Sequence, residues 1–152
     1  ALKNFKTVGM RQKIEKKFGI TFIEDCYNAS PDSQAAAMSV LGSMDCKRRI
    51  AVVGDMLELG DYSETAHRLV GEYAAANNTD ILFTYGKLSH FAAQSAKEKG
   101  VKRVYSFDDK FDLRDAVANE LREGDAVLYK ASRGMKLEEV IYGVYDLLEN
   151  KQ

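Results

Sequence analysis

The 152-residue sequence has few residues that could build a covalent or metal-bound scaffold: two cysteines, two histidines, one proline and no tryptophan. Cys26 and Cys46 form neither a Cys-x-x-Cys pair nor a disulfide framework. With only two histidines to add to them, a structural zinc site is not expected. The single proline, Pro31, and the lack of a glycine- or serine-rich stretch leave no sign of an internal linker.

Neither sign of charge dominates, since 22 basic and 23 acidic residues give a net charge of -1. Proteins that bind the phosphate backbone of nucleic acids need a basic excess, so nucleic acid is not an expected partner. Apolar runs such as Ile50–Val53 are far shorter than the roughly 20 residues that cross a bilayer. The N-terminus has no signal-peptide pattern. We therefore expect a cytoplasmic protein without membrane insertion.

The hydrophobic content of 45% is high enough for a well-packed core, and the length corresponds to one domain. A polar lead-in occupies residues 1–8, and we expect the domain to comprise residues 9–152. Two segments around Phe18-Gly19, Met10–Lys17 and Ile20–Asp25, predict a hairpin whose first strand lies antiparallel at the edge of a sheet.

Short apolar segments rich in β-branched and aromatic residues alternate with longer segments of helical period. The predicted strands are Ile20–Glu24, Arg49–Val53, Ile81–Tyr85, Arg103–Phe107 and Ala126–Lys130. The predicted helices are Ser33–Leu41, Ser63–Ala76, His90–Lys99, Leu113–Arg122 and Leu137–Glu149. Gly100 and Gly124 stand where C-terminal cap glycines are expected. This alternation predicts a Rossmann-like, doubly wound α/β domain with a mostly parallel sheet, but it does not determine the strand order.

In such sheets ligands bind beyond the carboxyl ends of the strands. The first loop there is Asp25–Ser33, which offers a carboxylate, a phenol and an amide, followed by the N-terminus of a helix that could receive an anion. The alternative is structural, with Asp32 or Ser33 as the N-cap and Asn28 as a turn residue.

The loop Gly54–Gly60 places Asp55 and Glu58 between two glycines, which suits either a metal-linked phosphate site or a tight structural turn. The loop is not a Gly-x-Gly-x-x-Gly motif, so a dinucleotide is not expected. His67, on the following helix, is given no catalytic role, because a lone histidine there is more often a core or surface residue.

Two further loops, Tyr85-Gly-Lys87 and Lys130–Met135, place cations just beyond a strand. Lys130, Ser132 and Arg133 could together hold a carboxylate or a phosphate, or could form a solvated basic turn. The spacing yields no Ser-His-Asp or Cys-His catalytic arrangement. Cys26 could equally be an unreactive core residue or a nucleophile.

Taken in order, these loops resemble the C-terminal domain of the Mur ligases, in the branch that adds D-alanyl-D-alanine. The resemblance runs from about Gly9 to near the end of the chain. The matching segments are Gly9–Gln12, Asp25–Ser33, Val53–Gly60 with His67 and Gly71 after it, and Lys130–Met135. The Tyr-Asn-Ala-x-Pro form of the first loop indicates the branch, and Ala131 departs from the glycine that the family usually has.

The resemblance implies an ATP-dependent, amide-bond-forming ligase of peptidoglycan synthesis. The terminal carboxylate of a UDP-N-acetylmuramoyl tripeptide is activated as an acyl phosphate, and the amine of D-alanyl-D-alanine then attacks it. In such ligases a central domain carries the phosphate-binding Gly-Lys-Thr loop and most of the hold on Mg²⁺, and the C-terminal domain closes over ATP. This chain has no Gly-Lys-[Ser/Thr] element, so alone it is expected to be inactive. Its expected partners are the central domain, from which residues 1–8 lead in, and the N-terminal domain.

Two groups of site residues follow from the same resemblance. The ATP group comprises Arg11 toward the phosphates, Asp25 toward the ribose, and Tyr27 and Asn28 beside them. The group for the amino substrate or for domain closure comprises Lys130, Ser132 and Arg133, with Asp55 and Glu58 as further loop contacts. No catalytic residue and no metal ligand is assigned to this chain. The alternative hypothesis is a stand-alone, flavodoxin-like module that binds a nucleotide or another small ligand without catalysis.

Overall fold

The computed structural model describes residues 12–26 and 29–151. Their strands are β1 Lys13–Lys17, β2 Ile20–Asp25, β3 Arg48–Gly54, β4 Ile81–Tyr85, β5 Arg103–Phe107 and β6 Asp125–Lys130. Their α-helices are α1 Pro31–Gly42, α2 Ser63–Ala76, α3 Ser89–Glu98, α4 Lys110–Glu120 and α5 Glu138–Asn150. Two short 3₁₀ turns span Gly60–Tyr62 and Arg133–Met135. The predicted fold class is confirmed, and the predicted elements are present with ends shifted by about three residues at most.

The strands form one sheet in the order β1-β2-β6-β3-β4-β5. All neighbours pair in parallel except β1, which pairs antiparallel with β2, so the predicted edge hairpin is confirmed. The last strand in the sequence thus lies between β2 and β3. As a result, the carboxyl ends of β2, β6, β3 and β4 adjoin one another along one edge of the sheet.

Helices cover both faces of the sheet, and each face has its own hydrophobic core. Helices α1, α2 and α3 pack on one face, and α4 and α5 pack on the other. All six residues of β6 are buried, as expected for a central parallel strand covered on both sides. Within the described residues, no helix has the length and apolar character needed to span a membrane.

Helices α2 and α3 pack so closely that their backbones nearly touch at Gly71. A Cβ atom at this position would lie 2.4 Å from the carbonyl oxygen of Ala92 and 2.6 Å from the backbone nitrogen of Ala96. The Ser95 hydroxyl adds a hydrogen bond of 2.6 Å to the carbonyl oxygen of Arg68. Gly71 is therefore a contact point between the two helices.

Two predicted helix caps are corrected by the structure. The N-cap of α1 is Ser30, neither Asp32 nor Ser33: the Ser33 amide donates to Ser30 Oγ at 3.2 Å, and the Ser30 amide donates to Ser33 Oγ at 2.8 Å. This reciprocal pair satisfies two amides that have no partner within the helix. Gly124 lies beyond the end of α4, in the turn into β6, where its amide donates to the carbonyl oxygen of Gly19 at 2.9 Å.

Candidate functional site

The predicted loops come together at the carboxyl edge of the sheet because their strands are neighbours. The strand order places the loop after β6 between the loops after β2 and β3, and the β4 loop follows. In doubly wound sheets this edge is where ligands bind. The loops predicted to carry the site are therefore neighbours in the fold.

Asp25 and Lys130 form an ion pair across the ends of β2 and β6. They are register partners in the parallel ladder, and Lys130 Nζ lies 3.0 Å from Asp25 Oδ2. The Lys130 side chain is only 2% exposed, whereas Asp25 keeps 15% exposure. Sequence reasoning had given these two residues to different ligands. In the structure Lys130 supports the Asp25 carboxylate, and its role toward the amino substrate or domain closure stays a prediction.

The Asp55 carboxylate caps the N-terminus of α3. Its Oδ1 accepts hydrogen bonds from the amide and the hydroxyl of Ser89, at 2.8 and 2.7 Å, and its Oδ2 accepts one from the amide of Leu88 at 3.3 Å. A Cβ atom at Gly86 would lie 2.5 Å from this carboxylate, so a glycine is required there. For Asp55, the geometry favours the structural turn over a phosphate or metal site. Glu58, by contrast, is exposed and has a positive φ of 65°.

His67 is buried on α2, and both of its ring nitrogens are engaged. Nε2 lies 2.9 Å from the amide nitrogen of Met56, and Nδ1 lies 2.6 Å from the carbonyl oxygen of Ser63. Because the Met56 amide can only donate and the Ser63 carbonyl can only accept, these contacts assign the ring proton to Nδ1 and the accepting lone pair to Nε2. Sequence reasoning left His67 without a role. The sequence offered two signals, its match to the family after Val53–Gly60 and its place one helical turn after Ser63, and neither shows what His67 contacts.

Ser132 joins the loop after β6 to the loop after β3. Its hydroxyl accepts a hydrogen bond from the Leu57 amide at 2.9 Å, and its own amide donates to the carbonyl oxygen of Asp55 at 3.1 Å. The Leu57 side chain lies over Gly134, where a Cβ atom would come within 2.9 Å of it. The two loops therefore form one continuous surface, on which Arg133 is exposed.

Cys26 is better suited to packing than to catalysis. Its thiol lies 3.9 Å from the carbonyl oxygen of Tyr129, to which it donates. Burial, reinforced by the nearby charges of Glu138, Glu24 and Asp25, raises the pKa of the Cys26 thiol to about 12. The thiolate that nucleophilic chemistry needs is therefore scarce near neutral pH.

We expect Cys26 to be alkylated by iodoacetamide on the order of 1000-fold more slowly in the folded chain than in urea at pH 8, because only the thiolate reacts. Mass spectrometry of a Cys46→Ser variant would follow Cys26 alone. Similar rates in the folded and unfolded chain would contradict this assignment.

Three residues of the predicted ATP group, Arg11, Tyr27 and Asn28, lie outside the described residues. Their roles stay predictions. Among residues 12–26 and 29–151, no three histidine, cysteine, aspartate or glutamate side chains are grouped as a metal site requires.

Comparison with known proteins identifies the family. A family model described as "Mur ligase, glutamate ligase domain" matches residues 10–133. The UDP-N-acetylmuramoyl-tripeptide--D-alanyl-D-alanine ligase of Bacillus subtilis is 43% identical over 152 residues, which cover 98% of this chain and 33% of that protein. The Escherichia coli protein of the same name is 39% identical over 121 residues, or 78% of this chain and 25% of that protein.

Solved structures agree with these matches. The MurF ligase from Thermotoga maritima, in complex with ADP, superimposes with a TM-score of 0.81 at 26% identity and covers 99% of this chain and 37% of that chain. MurF from Acinetobacter baumannii gives a TM-score of 0.79 at 27% identity, covering 91% and 30%. This chain spans about a quarter to a third of the length of the curated relatives named above. Because these relatives are named as ligases, the comparisons do not favour the alternative hypothesis of a stand-alone binding module. The chain belongs to the Mur ligase family and comprises its glutamate ligase domain.

Proposed function

We propose that this chain is the C-terminal domain of the ATP-dependent ligase that joins D-alanyl-D-alanine to the UDP-N-acetylmuramoyl tripeptide in peptidoglycan synthesis. The observation that carries this proposal is the 43% identity to the Bacillus subtilis ligase over nearly the whole chain. The loops that match the family also adjoin at the carboxyl edge of the sheet. In this proposal residues 1–8 lead in from a central domain and residues 9–152 close over ATP.

The Asp25 carboxylate is suited to receive the ribose hydroxyls of ATP. A carboxylate only accepts hydrogen bonds, and the hydroxyls can donate them. Lys130 holds Oδ2 at 3.0 Å, while the Asp25 side chain keeps 15% exposure. The ion pair therefore fixes the acceptor before the nucleotide arrives, which reduces the entropy lost on binding. Arg11 would meet the phosphates, with Tyr27 and Asn28 beside them.

Ser132 and Arg133 are suited to the amino substrate or to the closed-domain interface. Arg133 is an exposed cation, and a guanidinium can bind the carboxylate of D-alanyl-D-alanine through two parallel hydrogen bonds. The Ser132 hydroxyl already accepts a hydrogen bond from the Leu57 amide, so its own proton remains to be donated. Glu58 would add a further loop contact. The proposal places Mg²⁺ on the central domain, where it neutralises phosphate charge.

Closure of this domain would exclude water from the reacting groups. Electrostatic interactions strengthen when water is removed, so donors and charges fixed in advance stabilise the transition state more effectively. The loops at the edge of the sheet are held by hydrogen bonds to His67 and Ser132 and by the Asp25–Lys130 ion pair, so they supply such fixed groups.

Substitution of Asp25 tests the nucleotide side of this proposal. In the intact ligase, we expect Asp25→Ala or Arg11→Ala to lower kcat/KM for ATP at least about tenfold, equivalent to about 1.4 kcal/mol of transition-state stabilisation. Initial rates of phosphate release at varied ATP measure the effect. Glu98→Ala is the control, because Glu98 is an exposed carboxylate at the C-terminal end of α3, whereas the loops of the candidate site adjoin its N-terminal end. Unchanged kinetics in Asp25→Ala would remove the ribose assignment.

A further inference from the structure

The loop formed by residues 55–59, here called the β3 loop, is fastened from three sides. Asp55 binds the N-terminus of α3, His67 binds the loop from α2, and Ser132 binds it from the loop after β6. Each of these contacts involves a different element. The exposed segment Leu57–Glu58 forms the tip of the β3 loop.

Two consecutive amides of the β3 loop are held by side chains from different elements. The Met56 amide donates to His67 Nε2, and the Leu57 amide donates to Ser132 Oγ, both at 2.9 Å. Since the Met56 side chain is fully buried, water cannot readily replace a lost acceptor there. The peptide that leads to Glu58, a residue with positive φ, is thus fixed in orientation.

We propose that His67 is a positioning residue for the amino-substrate side of the ligase site. His67 accepts a hydrogen bond from the Met56 amide and so holds the β3 loop in place. The next amide in this loop, that of Leu57, donates to the Ser132 hydroxyl and so holds that hydroxyl in place. This inference rests on the proposed function, which assigns Ser132 and its loop to that side. The two ring nitrogens of His67 contact Met56 and Ser63, whereas the Asp25–Lys130 pair lies across the ends of β2 and β6. We therefore expect the nucleotide side to be affected less.

Two substitutions separate positioning from packing. Leucine at position 67 fills the buried space but offers no acceptor, whereas the glutamine Oε1 can take the place of Nε2. If His67 only fills space, leucine and glutamine should behave alike or glutamine should be worse, since it buries a polar group. If His67 positions the loop, glutamine should restore what leucine loses.

In the intact ligase, we expect His67→Leu to raise KM for D-alanyl-D-alanine at least about tenfold and to change KM for ATP by no more than about twofold. We expect His67→Gln to stay within about threefold of the unsubstituted enzyme for both substrates. Equal effects of the two variants, or equal shifts in both KM values, would overturn the assignment. An unsubstituted enzyme that does not couple D-alanyl-D-alanine would instead overturn the proposed function.

A measurement on the unsubstituted 152-residue chain tests the geometry independently of catalysis. Long-range ¹H–¹⁵N NMR spectra distinguish the two neutral tautomers of His67, and the positioning role requires the proton on Nδ1. The Met56 amide should also be protected from hydrogen exchange in the folded chain. A proton on Nε2, or a Met56 amide that exchanges as fast as an exposed one, would overturn the inference whether or not the substituted enzymes fold.

Discussion

Replacing Lys130 with methionine should lower the free energy of unfolding by about 3 kcal/mol or more. The substitution keeps the length and apolar body of the side chain but removes the ammonium 3.0 Å from Asp25 Oδ2. Lys130 is 2% exposed and Asp25 is 15% exposed, so little water can reach the carboxylate in place of the ammonium. A carboxylate that loses its buried partner bears the cost of desolvation without the compensating attraction.

Urea denaturation of the chain, analysed at constant slope, measures this loss. Lys97→Met is the control, because Lys97 is exposed on α3, and a surface substitution should stay within about 0.5 kcal/mol. The double variant Asp25→Asn, Lys130→Met should lose less than the sum of the two single variants, since the single variants disrupt the same pair. A Lys130→Met chain as stable as Lys97→Met would show that the ion pair contributes nothing.

Gly71→Ala should destabilise the chain by about 2 kcal/mol, although alanine is usually the better helix former. The added Cβ would meet backbone atoms of α3 at 2.4 and 2.6 Å, and backbone atoms in a helix cannot move aside alone. Helices α2 and α3 must separate to accept it. The steric cost therefore exceeds the gain of about 1 kcal/mol that alanine gives in an open helix.

Gly143→Ala provides the matched control on α5. There the new Cβ would meet Arg114 Cδ at 2.5 Å, and a flexible side chain can rotate away. We expect this variant to be neutral or more stable by up to about 1 kcal/mol. Urea midpoints of the two variants measured side by side decide the matter. Equal stability of the two variants would contradict the close packing of α2 on α3.

The sequence predicted the elements of this fold but not their neighbours. Periodicity distinguishes strands from helices because side-chain direction repeats every two residues in one and every 3.6 in the other. The order of strands in the sheet depends on which buried surfaces fit together, and β6 is as apolar as β3, so nothing in its pattern places it beside β2. The hairpin was predictable because its turn, Phe18-Gly19, is local.

The same distinction explains which parts of the site were predictable. Its position followed from the rule that ligands bind at the carboxyl ends of the strands. The pairing of Asp25 with Lys130 depends on the adjacency of β2 and β6, which only the structure gives. Likewise, Asp55 caps α3 because β3 and β4 are neighbours, and His67 contacts Met56 because α2 folds back beside the loop.

The ligase assignment is tested most directly by replacing the third of the Bacillus subtilis ligase that this chain matches with the chain itself. Phosphate release is then measured with ATP, the UDP-N-acetylmuramoyl tripeptide and D-alanyl-D-alanine. We predict release that requires all three substrates and yields the new amide bond. A folded hybrid enzyme that binds ATP but forms no amide bond with D-alanyl-D-alanine would contradict the assignment of this domain.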